Sequence, residues 1–223
     1  MGSFAYKLIR LLITFVLKTV IVFIFAFTSL AMAEVPEEES ILVVGDSLSA
    51  GYGFSADKSW VSLLKERLKS LGYTQVVVNK SVSGATSQQG VDRLPSWLEE
   101  THPTYVILAL GSNDGLRGQP ILSLKKNLEK MMTEIQQAGA KVILVGFNIP
   151  PNYGPEYTEA FQNVFSALAE QHEVPFVPFL LKGIEKEKAY FQADGLHPIE
   201  EAQSILLENI WAVLQPVLKV NPN

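Results

Sequence analysis

Ser47 occupies the position that a nucleophile takes in many α/β proteins. It follows the apolar run Ile41 to Val44 and the turn residues Gly45 and Asp46. A short, wholly apolar run that ends at a glycine is typical of a strand buried on both faces. Ligands of open α/β sheets bind in the crevice outside the carboxyl ends of the strands. A serine there becomes an effective nucleophile when a base activates it and hydrogen-bond donors hold the developing oxyanion.

Distant residues supply the base and the donors that such a serine needs. Histidine is the most frequent general base in enzymes, and His197 follows Asp194 by three residues. One turn of chain can bring this carboxylate to the imidazole, where it fixes the tautomer and stabilises the imidazolium. Gly84 offers an unobstructed backbone N–H and Asn113 a side-chain amide. Together with the N–H of Ser47 they are candidates for an oxyanion hole.

Each of these residues also has an ordinary structural explanation. Serine and glycine in such loops commonly form turns, and Asn113, Asp114 and Gly115 make a turn signal. The segment 194–198 also has the composition of a loop that caps the last helix. The coincidence of all of them after the strands of one sheet favours catalysis over these separate explanations.

The elements that position these residues follow from the hydrophobic pattern. Apolar runs predict strands at residues 41–44, 75–78, 105–110, 141–145 and 174–177. Amphipathic segments predict helices at residues 60–71, 91–100, 123–138 and 156–171, with a last one after residue 198. Alternating strands and helices imply βαβ units with right-handed crossovers. We therefore expect an α/β fold, a three-layer α/β/α sandwich whose five-stranded parallel sheet has the flavodoxin-like order 2-1-3-4-5.

The first 33 residues differ in composition from the rest of the chain. They contain no acidic residue, three basic residues, and an apolar run that leads to an Ala-Met-Ala sequence ending at Ala33. This pattern is typical of a secretory signal peptide. Only 15 residues separate Lys18 from Glu34, whereas a spanning helix needs about 20. We expect cleavage after Ala33, with an uncleaved anchor as the alternative, and a secreted, periplasmic single domain at residues 34–223 without a membrane anchor.

The remaining residues are acidic and lack cysteine. Residues 34–223 contain 15 basic and 23 acidic side chains, a formal charge of −8, which disfavours binding to nucleic acid. The absence of cysteine excludes disulfides, a thiol nucleophile and a Cys-based zinc site. With three histidines in the chain, a His-rich metal site is not expected. We expect a monomer that acts on a small molecule.

The loops that carry Ser47, Gly84, Asn113 and His197 together resemble those of the SGNH hydrolases in the GDSL esterase/lipase superfamily. The name-giving residues are matched by Ser47 in Gly-Asp-Ser-Leu-Ser, Gly84, Asn113 in Gly-Ser-Asn-Asp and His197 in Asp-Gly-Leu-His-Pro. The likeness is strongest to the periplasmic branch of thioesterases, arylesterases and lysophospholipases. It implies a triad of Ser47, Asp194 and His197 and an oxyanion hole of Ser47, Gly84 and Asn113. It also implies no metal, no cofactor and a mobile flap at residues 114–120.

An acyl substrate needs an apolar site beside the nucleophile. Large side chains in loops at the same sheet edge are the candidates, with core packing as the alternative for each: Leu48, Leu116, Phe147, Ile149 and Tyr153. We predict a serine ester hydrolase that cleaves acyl thioesters, aryl esters and lysophospholipids through an acyl-enzyme on Ser47. A carbohydrate O-acetylesterase and a non-catalytic flavodoxin-like binding module are the alternatives.

Overall fold

The structure, a computed structural model, describes residues 39–218 together with Arg10 and Val16. The chain divides into two units, Met1–Glu37 and Glu38–Asn223, and every strand and helix given below lies in the second. Apart from Arg10 and Val16, the predicted signal peptide lies outside the described residues. Among the residues that are described, no helix has the length and apolar character needed to span a membrane.

Five parallel strands form the central sheet. They are β1 (Ser40–Gly45), β2 (Val76–Asn79), β3 (Tyr105–Ala109), β4 (Lys141–Val145) and β5 (Phe176–Val177). The sheet has the order β2-β1-β3-β4-β5, so the predicted order is confirmed. All four residues from Ile41 to Val44 are fully buried, as expected for a central strand covered on both faces.

Helices cover the sheet in two groups. They are α1 (Ser47–Ala50), α2 (Trp60–Ser70), α3 (Ser87–Thr101), α4 (Ser112–Leu116), α5 (Ile121–Gln137), α6 (Pro155–Gln171) and α7 (Gln203–Leu214). Helix α2 packs against α7, whereas α3, α5 and α6 pack side by side. The sheet between these two groups gives the predicted three-layer α/β/α sandwich.

The register of the strands aligns the loops that carry the predicted site. Gly45 of β1 lies opposite Ala109 of β3, and Leu108 of β3 lies opposite Leu144 of β4. Three neighbouring strands therefore end at one edge of the sheet, where the crevice of an open α/β sheet lies.

Helix α3 begins at Ser87, four residues before the predicted start at residue 91. Gln89 donates its backbone N–H to the Thr86 hydroxyl at 3.5 Å and accepts the Thr86 N–H on its side-chain oxygen at 3.0 Å. This reciprocal capping box satisfies two N–H groups at the start of the helix. It orders the chain immediately after Gly84.

Candidate active site

Ser47 is the first residue of the four-residue helix α1, which begins directly after β1. Asp46 caps this helix, since its carboxylate accepts the Leu48 N–H at 3.0 Å. The helix ends at Gly51, whose φ of 77° lies in the left-handed region, which glycine adopts without a steric penalty. The tight turn holds Ser47 at the carboxyl end of the sheet, where it is 8% exposed.

Ser47, His197 and Asp194 meet although the first two are 150 positions apart in the chain. Nε2 of His197 lies 2.9 Å from Oγ of Ser47, and Nδ1 lies 2.7 Å from Oδ2 of Asp194. An ionised carboxylate only accepts hydrogen bonds, so Nδ1 carries the imidazole proton and Nε2 accepts the Ser47 hydroxyl. A serine nucleophile and its base need this arrangement.

Asp194 accepts three hydrogen bonds that favour its ionised form. The backbone N–H groups of His197 and Leu196 donate to Oδ1 at 3.0 and 2.9 Å, and the imidazole donates to Oδ2. These bonds, led by that of the His197 backbone, lower the pKa of Asp194 to about 2. The carboxylate is therefore charged at neutral pH, as an orienting partner of the base must be.

Two backbone N–H groups around Ser47 have no acceptor among the described residues. In the segment 39–218, neither the Ser47 N–H nor the Gly84 N–H donates a hydrogen bond. Val82 donates to the Gly45 carbonyl at 3.0 Å, which places the Gly84 loop beside the nucleophile. Gly84 has a φ of 76°, and its carbonyl accepts the Arg117 guanidinium at 3.0 Å. Unengaged N–H groups of this kind can stabilise an oxyanion.

Asn113 lies in helix α4, and its side-chain amide is already engaged. Nδ2 donates to the Ala85 carbonyl at 3.1 Å and to the Asp46 carboxylate at 3.3 Å. These bonds tie the amide to the two loops that carry Ser47 and Gly84. The Asn113 amide can become a third donor to an oxyanion only by weakening one of these two hydrogen bonds. Its net contribution to oxyanion stability is therefore smaller than that of an unengaged donor.

Asp46 is a buried carboxylate that joins α1 to α4. It is fully buried and accepts hydrogen bonds from the Leu48 N–H, the Ser112 hydroxyl and the Asn113 amide. Burial raises the pKa of Asp46, while the Ser112, Leu48 and Asn113 donors oppose that rise. Asp46 therefore orders the loop that carries Ser47, and it also holds the amide of Asn113.

A second buried carboxylate, Asp114, joins α4 to the start of α3. Asp114 is 1% exposed; it accepts the Ser87 N–H at 2.8 Å and the Ser87 hydroxyl at 2.5 Å. Asn127 donates to the same hydroxyl at 3.0 Å. The apolar pattern does not indicate this pair. The first N–H groups of a helix need acceptors outside it, and Asp114 supplies one for Ser87.

An apolar cleft of about 620 Å³ opens beside Ser47 and His197. Four of the five residues predicted to hold the acyl group line this cleft: Leu48, Leu116, Phe147 and Ile149. Its volume lies within the range of small-molecule sites. Phe147 and Ile149 are also buried core residues, so they form its floor. Gly84 is not among its lining residues.

Tyr153, the fifth predicted acyl-site residue, does not line the cleft. Its hydroxyl donates to the Leu116 carbonyl at 2.6 Å, and the neighbouring Tyr157 hydroxyl donates to the Gln119 carbonyl at 2.7 Å. Burial raises the pKa of Tyr157, which keeps that hydroxyl protonated and able to donate. The two tyrosines therefore anchor two carbonyls of the predicted flap, and a contact of Tyr153 with the acyl group stays a prediction.

Known sequences and structures resemble this chain over most of its length. The model of the GDSL-like Lipase/Acylhydrolase family matches residues 43–205. Esterase TesA of Pseudomonas aeruginosa is 48% identical over 180 residues, which cover 81% of this chain and 90% of that protein. Thioesterase 1/protease 1/lysophospholipase L1 of Escherichia coli K12 is 37% identical over 194 residues, covering 87% of this chain and 92% of that protein. A crystal structure of TesA, 48% identical, matches with a TM-score of 0.79 over 81% of this chain and 100% of its own.

Proposed function

The chain belongs to the GDSL-like lipase/acylhydrolase family and is a carboxylic ester hydrolase, and we propose that Ser47, His197 and Asp194 carry out its reaction. The observation that supports this assignment most is the continuous contact from carboxylate to imidazole to hydroxyl, at 2.7 and 2.9 Å. At these distances the imidazole can take the hydroxyl proton as the serine attacks.

The first half of the proposed reaction forms an acyl-enzyme. Oγ of Ser47 attacks the substrate carbonyl carbon while Nε2 of His197 takes the hydroxyl proton, and the carbonyl electrons move onto oxygen. Asp194 stabilises the imidazolium by its negative charge and its bond to Nδ1. The imidazolium then donates its proton to the departing alcohol or thiol, and the acyl group remains on Ser47.

The oxyanion of that intermediate is stabilised by donors that are in place beforehand. The N–H groups of Ser47 and Gly84 are unengaged in the described chain, so they bind the oxyanion without breaking another bond. Asn113 adds a third donor at the cost of its long bond to Asp46, 3.3 Å. Each such donor lowers the barrier by about 2.7–4 kcal/mol when it is unengaged.

The second half of the reaction returns the free enzyme. His197 takes a proton from water as the water oxygen attacks the acyl carbon, and the same donors hold the new oxyanion. Collapse of this intermediate releases the carboxylic acid, and the imidazolium returns its proton to Oγ of Ser47.

The substrates that we propose are acyl thioesters, aryl esters and lysophospholipids. The Escherichia coli relative is named as a thioesterase and a lysophospholipase. The cleft of about 620 Å³, whose lining includes Leu48, Leu116, Phe147 and Ile149, also has room for more than an acetyl group. This apolar volume favours acyl chains of medium length over the acetyl esters of a carbohydrate esterase, because each buried CH₂ contributes about 0.8 kcal/mol.

Hydrolysis of p-nitrophenyl esters from C2 to C12 by residues 34–223 tests both parts of this proposal. The value of kcat/KM should rise from C2 to medium chains, and Ser47→Ala should lower kcat by about 10³-fold or more. Ser96→Ala is a matched control, since the exposed Ser96 hydroxyl donates only to the Arg93 carbonyl. Activity that peaks at C2 favours the acetylesterase, and undiminished activity of Ser47→Ala overturns the triad.

We also propose that residues 1–33 are removed as a signal peptide and that the enzyme acts as a periplasmic monomer. The support is the basic, then apolar, then small-residue order of these positions and the absence of acidic residues among them. Mass spectrometry of exported protein should give a chain that begins at Glu34, and light scattering should give the mass of one chain. A retained N-terminus would contradict removal of the signal peptide, and the mass of a dimer would contradict the monomer.

A further inference from the structure

The catalytic imidazole of the proposed mechanism lies on an irregular, exposed segment. The residues from Ala193 to Leu196 are exposed and lie outside the helices and strands. Such a segment has little apolar burial of its own to fix its position. A displacement of about 1 Å between reacting groups can lower a rate about 10²-fold. Further contacts must therefore hold His197 on Ser47.

Gln192 makes four hydrogen bonds around this segment. Its backbone N–H donates to the His197 carbonyl at 2.8 Å, and its carbonyl accepts the Gly195 N–H at 2.9 Å. Its side-chain Nε2 donates to the Tyr52 carbonyl at 2.8 Å and to the Pro198 carbonyl at 3.1 Å. The backbone bonds and the side-chain bond to Pro198 close the turn that carries the imidazole, and the side-chain bond to Tyr52 joins that turn to the loop after Ser47.

Gly53 allows this close approach between the two loops. It has a φ of 86°, which L side chains rarely adopt. A Cβ at this position would also clash with the side-chain amide of Gln192. The glycine-rich sequence after Ser47 therefore gives the Gln192 side chain room to reach the carbonyl of Tyr52.

Tyr52 contacts the imidazole directly. Its ring centroid lies 4.4 Å from that of His197, with an angle of 39° between the planes. Tyr52 is 49% exposed although it is a large, partly apolar residue. It limits rotation of the imidazole on one side, and its π face attracts the positive charge that the imidazole gains when it takes the Ser47 proton.

We propose that Gln192 and Tyr52 are positioning residues that together hold the imidazole of His197 against the hydroxyl of Ser47. This inference rests on the proposed function, in which His197 is the base. Gln192 sets the position of the backbone, and Tyr52 sets the orientation of the ring. Both act on the reaction through His197, so their removal should lower kcat and leave KM nearly unchanged.

Gln192→Met tests the first residue, because methionine keeps the length and charge of the side chain and removes its two donor bonds. We expect kcat to fall about 10- to 100-fold, with KM within about twofold, when rates are counted per active site titrated with a fluorophosphonate. Gln171→Met is the matched control, since Gln171 donates at 2.7 Å to Glu129 and neither residue lines the cleft. It should leave kcat unchanged.

Tyr52→Leu and Tyr52→Phe test the second residue. Leucine removes the π face and should lower kcat about threefold to tenfold, whereas phenylalanine keeps it and should restore the parent kcat. A merely structural role would lower thermal stability or the titrated fraction of sites and leave kcat per site unchanged. That result, or equal kcat for Gln192→Met and the parent, overturns the proposal.

Ser47→Ala, measured in parallel, separates this inference from the proposed function. If Ser47→Ala is inactive and the Gln192 and Tyr52 variants keep the parent kcat per site, only the positioning role is wrong. If Ser47→Ala retains activity, the triad itself is wrong and the positioning role falls with it.

Discussion

Asn113→Ala is expected to lower kcat by about 7- to 300-fold and to leave KM within about threefold. Two opposing contributions set this magnitude. A donor to the developing oxyanion contributes about 2.7–4 kcal/mol. Sharing the Asn113 amide with the oxyanion weakens its bond to Asp46, which is long at 3.3 Å, and a bond of this kind is worth about 0.5–1.5 kcal/mol. The difference is about 1.2–3.5 kcal/mol, and about 1.4 kcal/mol corresponds to a tenfold change in rate.

Steady-state hydrolysis of p-nitrophenyl hexanoate, with active sites titrated beforehand, measures this effect. KM should change little because the oxyanion exists only in the transition state and the intermediates. Asn209→Ala is the matched control. The Asn209 amide also donates to two carbonyls, those of Leu180 and Lys182, each at 2.9 Å, but it belongs to α7 and is not among the lining residues of the cleft.

Three results would refute this reasoning about Asn113. A kcat within threefold of the parent would show that the amide does not reach the oxyanion. A decrease in kcat of more than about 10³-fold would show that weakening the bond from Asn113 to Asp46 has no energetic cost, so that the two contributions do not oppose each other. A raised KM at unchanged kcat would place the contact in substrate binding.

Three further predictions concern the groups around the triad. The carboxyl carbon of Asp194 should titrate near pH 2 in 13C NMR, because folding lowers the pKa of Asp194 from 3.8 to about 2. The contribution of this carboxylate to the stability of the folded protein is complete above pH 3.8 and is lost as the pH falls toward 2. Titration near pH 4 would contradict the three hydrogen bonds to Asp194. Asp114→Ala should lower the free energy of unfolding by about 2–3 kcal/mol in urea, because it leaves the buried N–H and hydroxyl of Ser87 without their acceptor; an unchanged midpoint would argue against the pair. Tyr153→Phe removes the bond to the Leu116 carbonyl, which is worth about 1 kcal/mol, and should therefore speed amide hydrogen exchange in the flap. Unchanged exchange would show that packing of the ring alone holds the flap.

The sheet was predictable because burial on both faces leaves a continuous apolar run in the sequence. The runs at residues 41–44 and 141–145 match β1 and β4, and their alternation with amphipathic helices predicts the parallel sheet. The strand order was predicted from the likeness to flavodoxin-like folds. Strand β5 is shorter than its predicted span of 174–177, since Pro175 has no N–H to donate to a neighbouring strand. The short helices α1 and α4 were not predicted, because four or five residues are too few to show a helical period.

The chemistry of the site was predictable to the extent that it depends on residue type and place in the chain. A serine, a histidine and an aspartate after the strands predicted a contact that the structure has at 2.9 and 2.7 Å. The contacts of Asn113 with Asp46, of Asp114 with Ser87 and of Gln192 with the Tyr52 carbonyl have no such signal. They depend on how loops pack in space, and loops lack the periodicity that reveals strands and helices.

The central claim, that Ser47 is the nucleophile activated by His197, is tested most directly by mass spectrometry after treatment with a fluorophosphonate. The reagent forms a tetrahedral phosphorus adduct that resembles the oxyanion intermediate, so a nucleophile with its oxyanion hole should react with it. We expect one adduct per chain, on the peptide that contains Ser47, with no adduct on Ser47→Ala and slow formation on His197→Asn. A stoichiometric adduct on another residue, or equal labelling of Ser47→Ala, would contradict the account.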